Sequence, residues 1–288
     1  MDALLQVKDL TKTYPGFTLD HVSFTVPKGS IMGLIGENGA GKSTTIKGIL
    51  GLIRPEAGAV TFWGQDLAGA PELKEDIGVV FDGLSFYETL TPARVGSILG
   101  AAYRQWDDAL YKEYMQRLSL PMDKEIKGLS KGMKAKLGIA AALAHRPRFL
   151  ILDEATSGLD PVMRDDMLDV FLEFVQDEEH GILMSSHITT DLEKVADYIT
   201  FIHEGRVLFT RPKDELRYQW GIVRCGAAAF GRMDPAGMLA WRKEAYQYDV
   251  LVPDKEAARR RYKDAVVDDA TIDDILLLYV KGDRKSVV

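Results

Sequence analysis

The chain has 288 residues, 46% of them hydrophobic, and a formal net charge of −7. A chain of this length buries about three quarters of its unfolded surface, enough for one large domain with an appendage or for two domains. Residues 1–203 carry 20 basic and 29 acidic side chains and residues 204–288 carry 16 and 14, so the main body lacks the basic face that general nucleic-acid binding needs, and no nucleic-acid partner is expected.

In chain order, strand-like runs come first, at 4–8, 17–26, 31–35 and 59–62, with a Pro27-Lys28-Gly29 turn between two of them. A short apolar strand follows at 77–81. From about 83 to 146 the pattern is helical. Thr91-Pro92 gives one helix a cap followed by Pro, and Ser130 caps another running to about 144. Strands return at 149–152 and 182–185, around a helix that begins Asp160-Pro161. Strands 198–203 and 206–209 flank a Glu204-Gly205 turn. Residues 1–210 thus form an α/β body with a helical insertion. Residues 211–288 form a separate α+β piece: helix 213–219, strands 221–225 and 245–252, helices 254–263 and 271–280.

Arg259-Arg260-Arg261 on one of these helices reads as a solvated face. The single cysteine, Cys225, permits no disulfide within the chain and reads as a packed side chain, as suits a reducing cytoplasm. The N-terminal residues lack the pattern of a signal peptide. The longest apolar run, 137–144, is far short of the roughly 18 residues needed to span a bilayer.

Residues 36–43 read Gly36-Glu37-Asn38-Gly39-Ala40-Gly41-Lys42-Ser43 and fit G-x-x-x-x-G-K-[ST]. An apolar strand leads in and a helix-like stretch through Thr44 leads out, as a phosphate-binding loop requires. The glycines let backbone N–H groups point at phosphate oxygens. Lys42 supplies a point charge for the β- and γ-phosphates, Ser43 a hydroxyl for Mg²⁺, and the helix its positive end. Residues 149–154 form an apolar strand ending in Asp153 and Glu154. Asp153 fits the Mg²⁺ shell, and Glu154 fits a general base for water. His187, just past another strand end, can reach the γ-phosphate.

With these motifs in order, Leu129-Ser130-Lys131-Gly132-Met133 resembles the signature, usually LSGGQ, of ATP-binding cassette (ABC) proteins. Over about residues 4–210 the chain resembles the nucleotide-binding subunit of an ABC transporter. The resemblance implies a P-loop cassette with an antiparallel β-subdomain and a helical subdomain. It implies ATP with Mg²⁺ as cofactor, and two cassettes head to tail, as homodimer or heterodimer, each ATP shared with the partner's signature residues. It also implies a separate transmembrane permease, and a cytoplasmic place at the inner face of the membrane. Tyr14 matches the aromatic that stacks on adenine, His187 the residue that orients Glu154 or water, and Asp160 a residue at the dimer centre.

Two positions depart from the pattern. Asp82 stands where a Mg²⁺-binding Gln is usual, and Lys131 and Met133 replace Gly and Gln. Asp82 can still bind Mg²⁺, and Lys131 brings a cation near the shared phosphate. The segment from Leu84 to Leu90 falls where the family docks its permease, so Phe86 and Tyr87 are expected to line that groove. A single cassette with a short extension resembles bacterial exporters, its tail a dimerisation or regulatory piece. The alternatives are a weakly active or non-catalytic cassette, and a soluble ABC ATPase outside transport.

Overall fold

Two burial patterns separate the strands of the first 210 residues. Residues 17–27 alternate more and less buried side chains, as a strand with one solvated face does, whereas residues 30–35, 149–153 and 181–186 are buried on both faces. The computed structural model describes residues 3–83 and 86–284, apart from the Arg284 side chain. It divides into two compact units, Met1–Thr210 and Arg211–Val288. Among the described residues no helix is long and apolar enough to cross a membrane.

The first unit begins β1 (Ala3–Tyr14), β2 (Phe17–Pro27), β3 (Ser30–Ile35), α1 (Lys42–Ile49), β4 (Ala57–Phe62) and β5 (Ile77–Val80). The helical arm follows as α2 (Pro92–Ala102), α3 (Asp108–Arg117) and α4 (Lys131–Leu143). The chain then returns through β6 (Phe149–Asp153), α5 (Pro161–Phe174), β7 (Gly181–Ser186), α6 (Thr189–Val195), β8 (Tyr198–His203) and β9 (Arg206–Pro212).

A three-stranded antiparallel sheet, β2-β1-β4, stands beside a six-stranded sheet, β5-β6-β7-β3-β8-β9. β1 runs six residues past its predicted end. Register shifts around Leu10 and a left-handed Asp9 break the alternation there, so the sequence reads as polar loop while pairing with β2 continues. In the large sheet β5, β6, β7, β3 and β8 pair in parallel. Their carboxyl ends therefore open on one edge, where ligands of such sheets bind.

The arm is capped at the two positions the sequence predicts, Thr91 and Ser130, and at Asp107, which it did not single out. Thr91, Asp107 and Ser130 accept from the first-turn amides of α2, α3 and α4. Tyr111 is buried against Gly96 and donates to the Pro92 carbonyl at 2.9 Å, tying α3 to α2.

The second unit holds α7 (Lys213–Tyr218), β10 (Gly221–Cys225), α8 (Ala227–Phe230), β11 (Ala240–Lys243), β12 (Tyr248–Val252), α9 (Lys255–Arg261), β13 (Val266–Asp269), α10 (Ile272–Lys281) and β14 (Asp283–Arg284). Its sheet order is β13-β10-β12-β11-β14. The strand predicted at 245–252 forms over its last five residues as β12, and its first three belong to a turn that pairs it with β11, which the sequence reading did not foresee. Glu244 donates to the Gln247 carbonyl at 2.8 Å, and no Gly, Pro or Asn marks that turn in the sequence. Cys225 packs with Val223, Met233 and Val250, and burial pushes its thiol pKa up. Arg259 pairs with Glu256 and Asp269, and Arg261 with Asp234, all on the surface.

The β8–β9 turn matters most to the site. Glu204 and Gly205 have φ of +48° and +77°, as a tight hairpin turn demands. Gly205 donates to the Ala40 carbonyl at 2.9 Å and accepts from Asp20 at 2.8 Å, so the turn braces the 36–43 loop from behind. A Cβ on Gly205 would stand 1.9 Å from the Thr18 carbonyl oxygen. Gly205→Ala is expected to destabilise the chain by about 2 kcal/mol or more and to lower its melting temperature in calorimetry.

Candidate active site

The loop between β3 and α1 is held open by its own backbone. A Cβ on Gly36 would lie 2.3 Å from the Ile202 carbonyl, so β8 approaches as closely as glycine allows. Gly39 and Gly41 turn the chain with φ of +83° and +114°. Gly41 caps α1 without a side chain, which leaves the first amides of α1, from Lys42 through Ser43 and Thr44, for an anion. Glu37, Asn38 and Gly39 are exposed at the crest, and Ala40 is buried. Lys42 is buried, and its ammonium donates to the carbonyls of Gly36 at 2.7 Å and Glu37 at 3.3 Å.

Across from the loop, β6 ends in two carboxylates of different character. Asp153 is 4% exposed, and its Oδ1 accepts from Ser43 Oγ at 3.2 Å and Ser185 Oγ at 2.6 Å. Glu154 holds φ +53°, a left-handed conformation that costs a non-glycine residue of order 1 kcal/mol or more. Its N–H is shared between the carbonyl and hydroxyl oxygens of Ser185, each at 3.2 Å. Its carboxylate lies 3.4 Å from the Lys42 ammonium and 2.6 Å from His187 Nδ1. A carboxylate only accepts, so Nδ1 carries the proton and Nε2 is left for another partner.

The remaining candidates occupy separate positions. Asp82 makes no hydrogen bond to Ser43 or Asp153 among the described residues. It lines a cleft of about 260 Å³ together with the polar side chains of Glu154, Ser157 and Lys131 and the apolar or aromatic ones of Phe86, Leu99 and Tyr103. His145 also lines it, stacked on Tyr103 at 4.2 Å, and burial pushes its pKa down. Tyr87, expected beside Phe86, is 83% exposed and stands outside this lining. Leu84 and Ser85 lie outside the described residues. Tyr14, at the end of β1, is 37% exposed, with the Lys12 ammonium 5.7 Å over its ring.

In the signature segment, Leu129 is buried and Ser130 Oγ accepts from Met133 N at 3.2 Å. Gly132 packs so closely on Met163 that a Cβ would stand 2.9 Å from its sulfur. Lys131 lies along Gly158, its Nζ 2.7 Å from where a Cβ would be. Its cation therefore rests on the loop that follows Glu154 in the same chain. The sequence reading aims it at a shared phosphate. Asp160 caps α5, accepting from Val162 and Met163 at 3.1 and 3.0 Å.

Ser185 is the residue that motif reading passes over. Its hydroxyl donates to Asp153 and receives the Glu154 amide, so it sets both carboxylates. The Ser185-Ser186-His187 triplet was its only trace in the sequence.

A parallel sheet carrying a glycine-rich loop, a buried Lys and a strand-end Asp-Glu pair is the arrangement of the P-loop nucleoside triphosphatases. A family model described as ABC transporter matches residues 19–157. The bacitracin transport ATP-binding protein BcrA of Bacillus licheniformis is 35% identical, over 75% of this chain and 72% of its own. The lantibiotic transport ATP-binding protein SrtF of Streptococcus pyogenes is 34% identical, over 73% and 92%. A solved ATP-binding subunit of an ABC transporter superposes with a TM-score of 0.68 at 34% identity, covering 74% of this chain and 92% of that one. The chain belongs to the ABC transporter family as an ATP-binding subunit, and ATP hydrolysis coupled to transport is the activity of that family.

Ser185→Ala removes one partner of the Asp153 carboxylate and one of the two acceptors of the Glu154 amide. It is expected to lower kcat for ATP about tenfold while nucleotide affinity, read by fluorescent-ATP titration, changes little.

Proposed function

We propose that this chain is the ATPase of a bacterial exporter for drugs or peptides, and that it works as a pair of cassettes against a separate permease at the inner face of the membrane. The observation that carries the reading is Glu154, set in a strained turn with His187 on one carboxylate oxygen and Lys42 near the other. Export is argued from two relatives named for bacitracin and lantibiotic transport.

In this reading the triphosphate lies against the 36–44 loop and the α1 amides, with adenine on Tyr14. Lys42 turns from the Gly36 and Glu37 carbonyls to phosphate oxygens. Glu154 takes a proton from water as the water oxygen bonds to the γ-phosphorus. The bond to the bridging oxygen breaks, giving ADP and phosphate. His187 holds the carboxylate in place and turns Nε2 to the γ-phosphate.

Ser43 and Asp153 fit Mg²⁺. They are hard oxygen donors already 3.2 Å apart, and Asp82 is assigned as a further ligand. Among the described residues no group of three His, Cys, Asp or Glu side chains could hold a metal, which suits an ion that keeps waters and takes phosphate oxygens. When bound it would supply positive charge to the phosphates.

The signature residues 129–133 serve the partner's ATP across the dimer, with Asp160 at its centre. The permease docks by the cleft at Phe86, and residues 211–288 act as a dimerisation or regulatory domain.

Glu154→Gln is expected to bind ATP normally, to lose about 10²–10⁴-fold in hydrolysis, and to shift from monomer to dimer on Mg·ATP in light scattering. A species that binds ATP and stays monomeric overturns the homodimer. Lys42→Ala should lose at least about tenfold in ATP affinity, because it removes a charge-assisted contact to phosphate.

A further inference from the structure

One buried charge outside these roles lies near His187 and is bonded to the loop that follows Glu154. Asp191 sits on α6, four residues past His187, and is 2% exposed. Its Oδ2 accepts from Thr156 Oγ1 at 2.8 Å, and Thr156, two residues past Glu154, is fully buried. Arg164 of α5 brings its Nε to 3.7 Å from the same oxygen, and its Nη2 donates to the Leu159 carbonyl at 3.2 Å. Three stretches of chain therefore meet at one carboxylate: the 154–160 loop, the start of α5 and the start of α6. A surface pair, Lys194 to Asp165 at 2.6 Å, joins the same two helices from outside.

This cluster is a poor device for stability. A buried carboxylate with one short hydrogen bond and one long ion pair regains little of its desolvation, and apolar packing commonly serves stability as well. Among the described residues Arg164 Nε makes no hydrogen bond at all. Burial pushes the Asp191 pKa up, the sign of an imperfectly compensated charge. What the cluster does supply is geometry. Glu154 and His187 leave their strands into separate segments, and the Thr156–Asp191 hydrogen bond ties the loop after Glu154 to the helix that follows His187.

We propose that Asp191 is a positioning residue for hydrolysis, which through Thr156 and Arg164 fixes the 154–160 loop against α6 and thereby sets Glu154 against His187. The proposal rests on the catalytic roles given above to that pair. Asp191 is buried and acts through Thr156 and Arg164. Its loss is therefore felt in kcat, while ATP binding by the 36–43 loop is kept.

The test uses the full chain with Asp191→Asn and Thr156→Val, each also combined with His187→Ala. Asp191→Asn keeps shape and an acceptor for Thr156 but removes the charge facing Arg164. Thr156→Val keeps volume and removes the hydroxyl, and serves if the first variant fails to fold. Steady-state and single-turnover ATP hydrolysis are read beside thermal melting. Each single variant is expected to lose about tenfold or more in kcat with KM within about threefold, the cost of a small misplacement at a reacting group. In the His187→Ala background the further loss should shrink to about twofold or less, because coupled groups are not additive. The proposal is overturned if both variants keep full kcat, if KM and melting temperature move while kcat holds, or if the tenfold loss persists without His187. A wild-type chain that binds ATP without hydrolysing it overturns the catalytic reading as well, which sets that failure apart from an indifferent Asp191→Asn in an active enzyme.

Discussion

Parallel register is the constraint on which the site depends. β7 pairs with both β3 and β6, aligning Ile35 with Ser186 and Asp153 with Ser185. The next residue of each strand is then Gly36, Glu154 and His187. Three motifs from distant parts of the chain emerge on one edge, because parallel strands share a direction. A shift of one residue in the β6–β7 pairing would turn alternate side chains to the opposite face and separate Glu154 from His187, and one in the β3–β7 pairing would displace the loop at Gly36 from both.

Within that frame the site combines strain with tight electrostatic placement. Glu154 is kept left-handed by the two Ser185 oxygens that receive its amide. Strain at a reacting group persists only where the surroundings overdetermine it, and here a carboxylate, an imidazole and an ammonium converge. Asp153, one residue earlier, stays extended and buried among hydroxyls. Adjacent carboxylates thus have different neighbours, the physical requirement for assigning them different work.

Much of this was legible in the sequence where the signal is local. The 36–43 loop, the caps at Thr91, Ser130 and Asp160, and the Glu204-Gly205 turn each rest on residues a few positions apart, and each lies where the sequence indicates. What stayed hidden is non-local or unsigned. β11, β13 and β14 are strands of two to four residues that exist only through their partners. The left-handed Glu154 follows from Ser185, 31 residues away. The lean of Lys131 along Gly158 and the Thr156–Asp191 bond join segments whose proximity no periodicity announces. The Lys131 substitution was visible as a departure from the signature, but its resting place was not.

The strand order also dictates when the site can exist during synthesis. The β2-β1-β4 sheet closes within the first 62 residues and draws on local contacts. β3 is different, because both of its neighbours are made far later, β7 ending at Ser186 and β8 at His203. A nascent chain therefore carries its phosphate loop unbraced for most of elongation. The loop gains its backing only when the turn at Gly205 leaves the ribosome. At about 5–20 residues per second that interval lasts on the order of ten seconds or more, with the apolar strand β3 lacking both of its final partners.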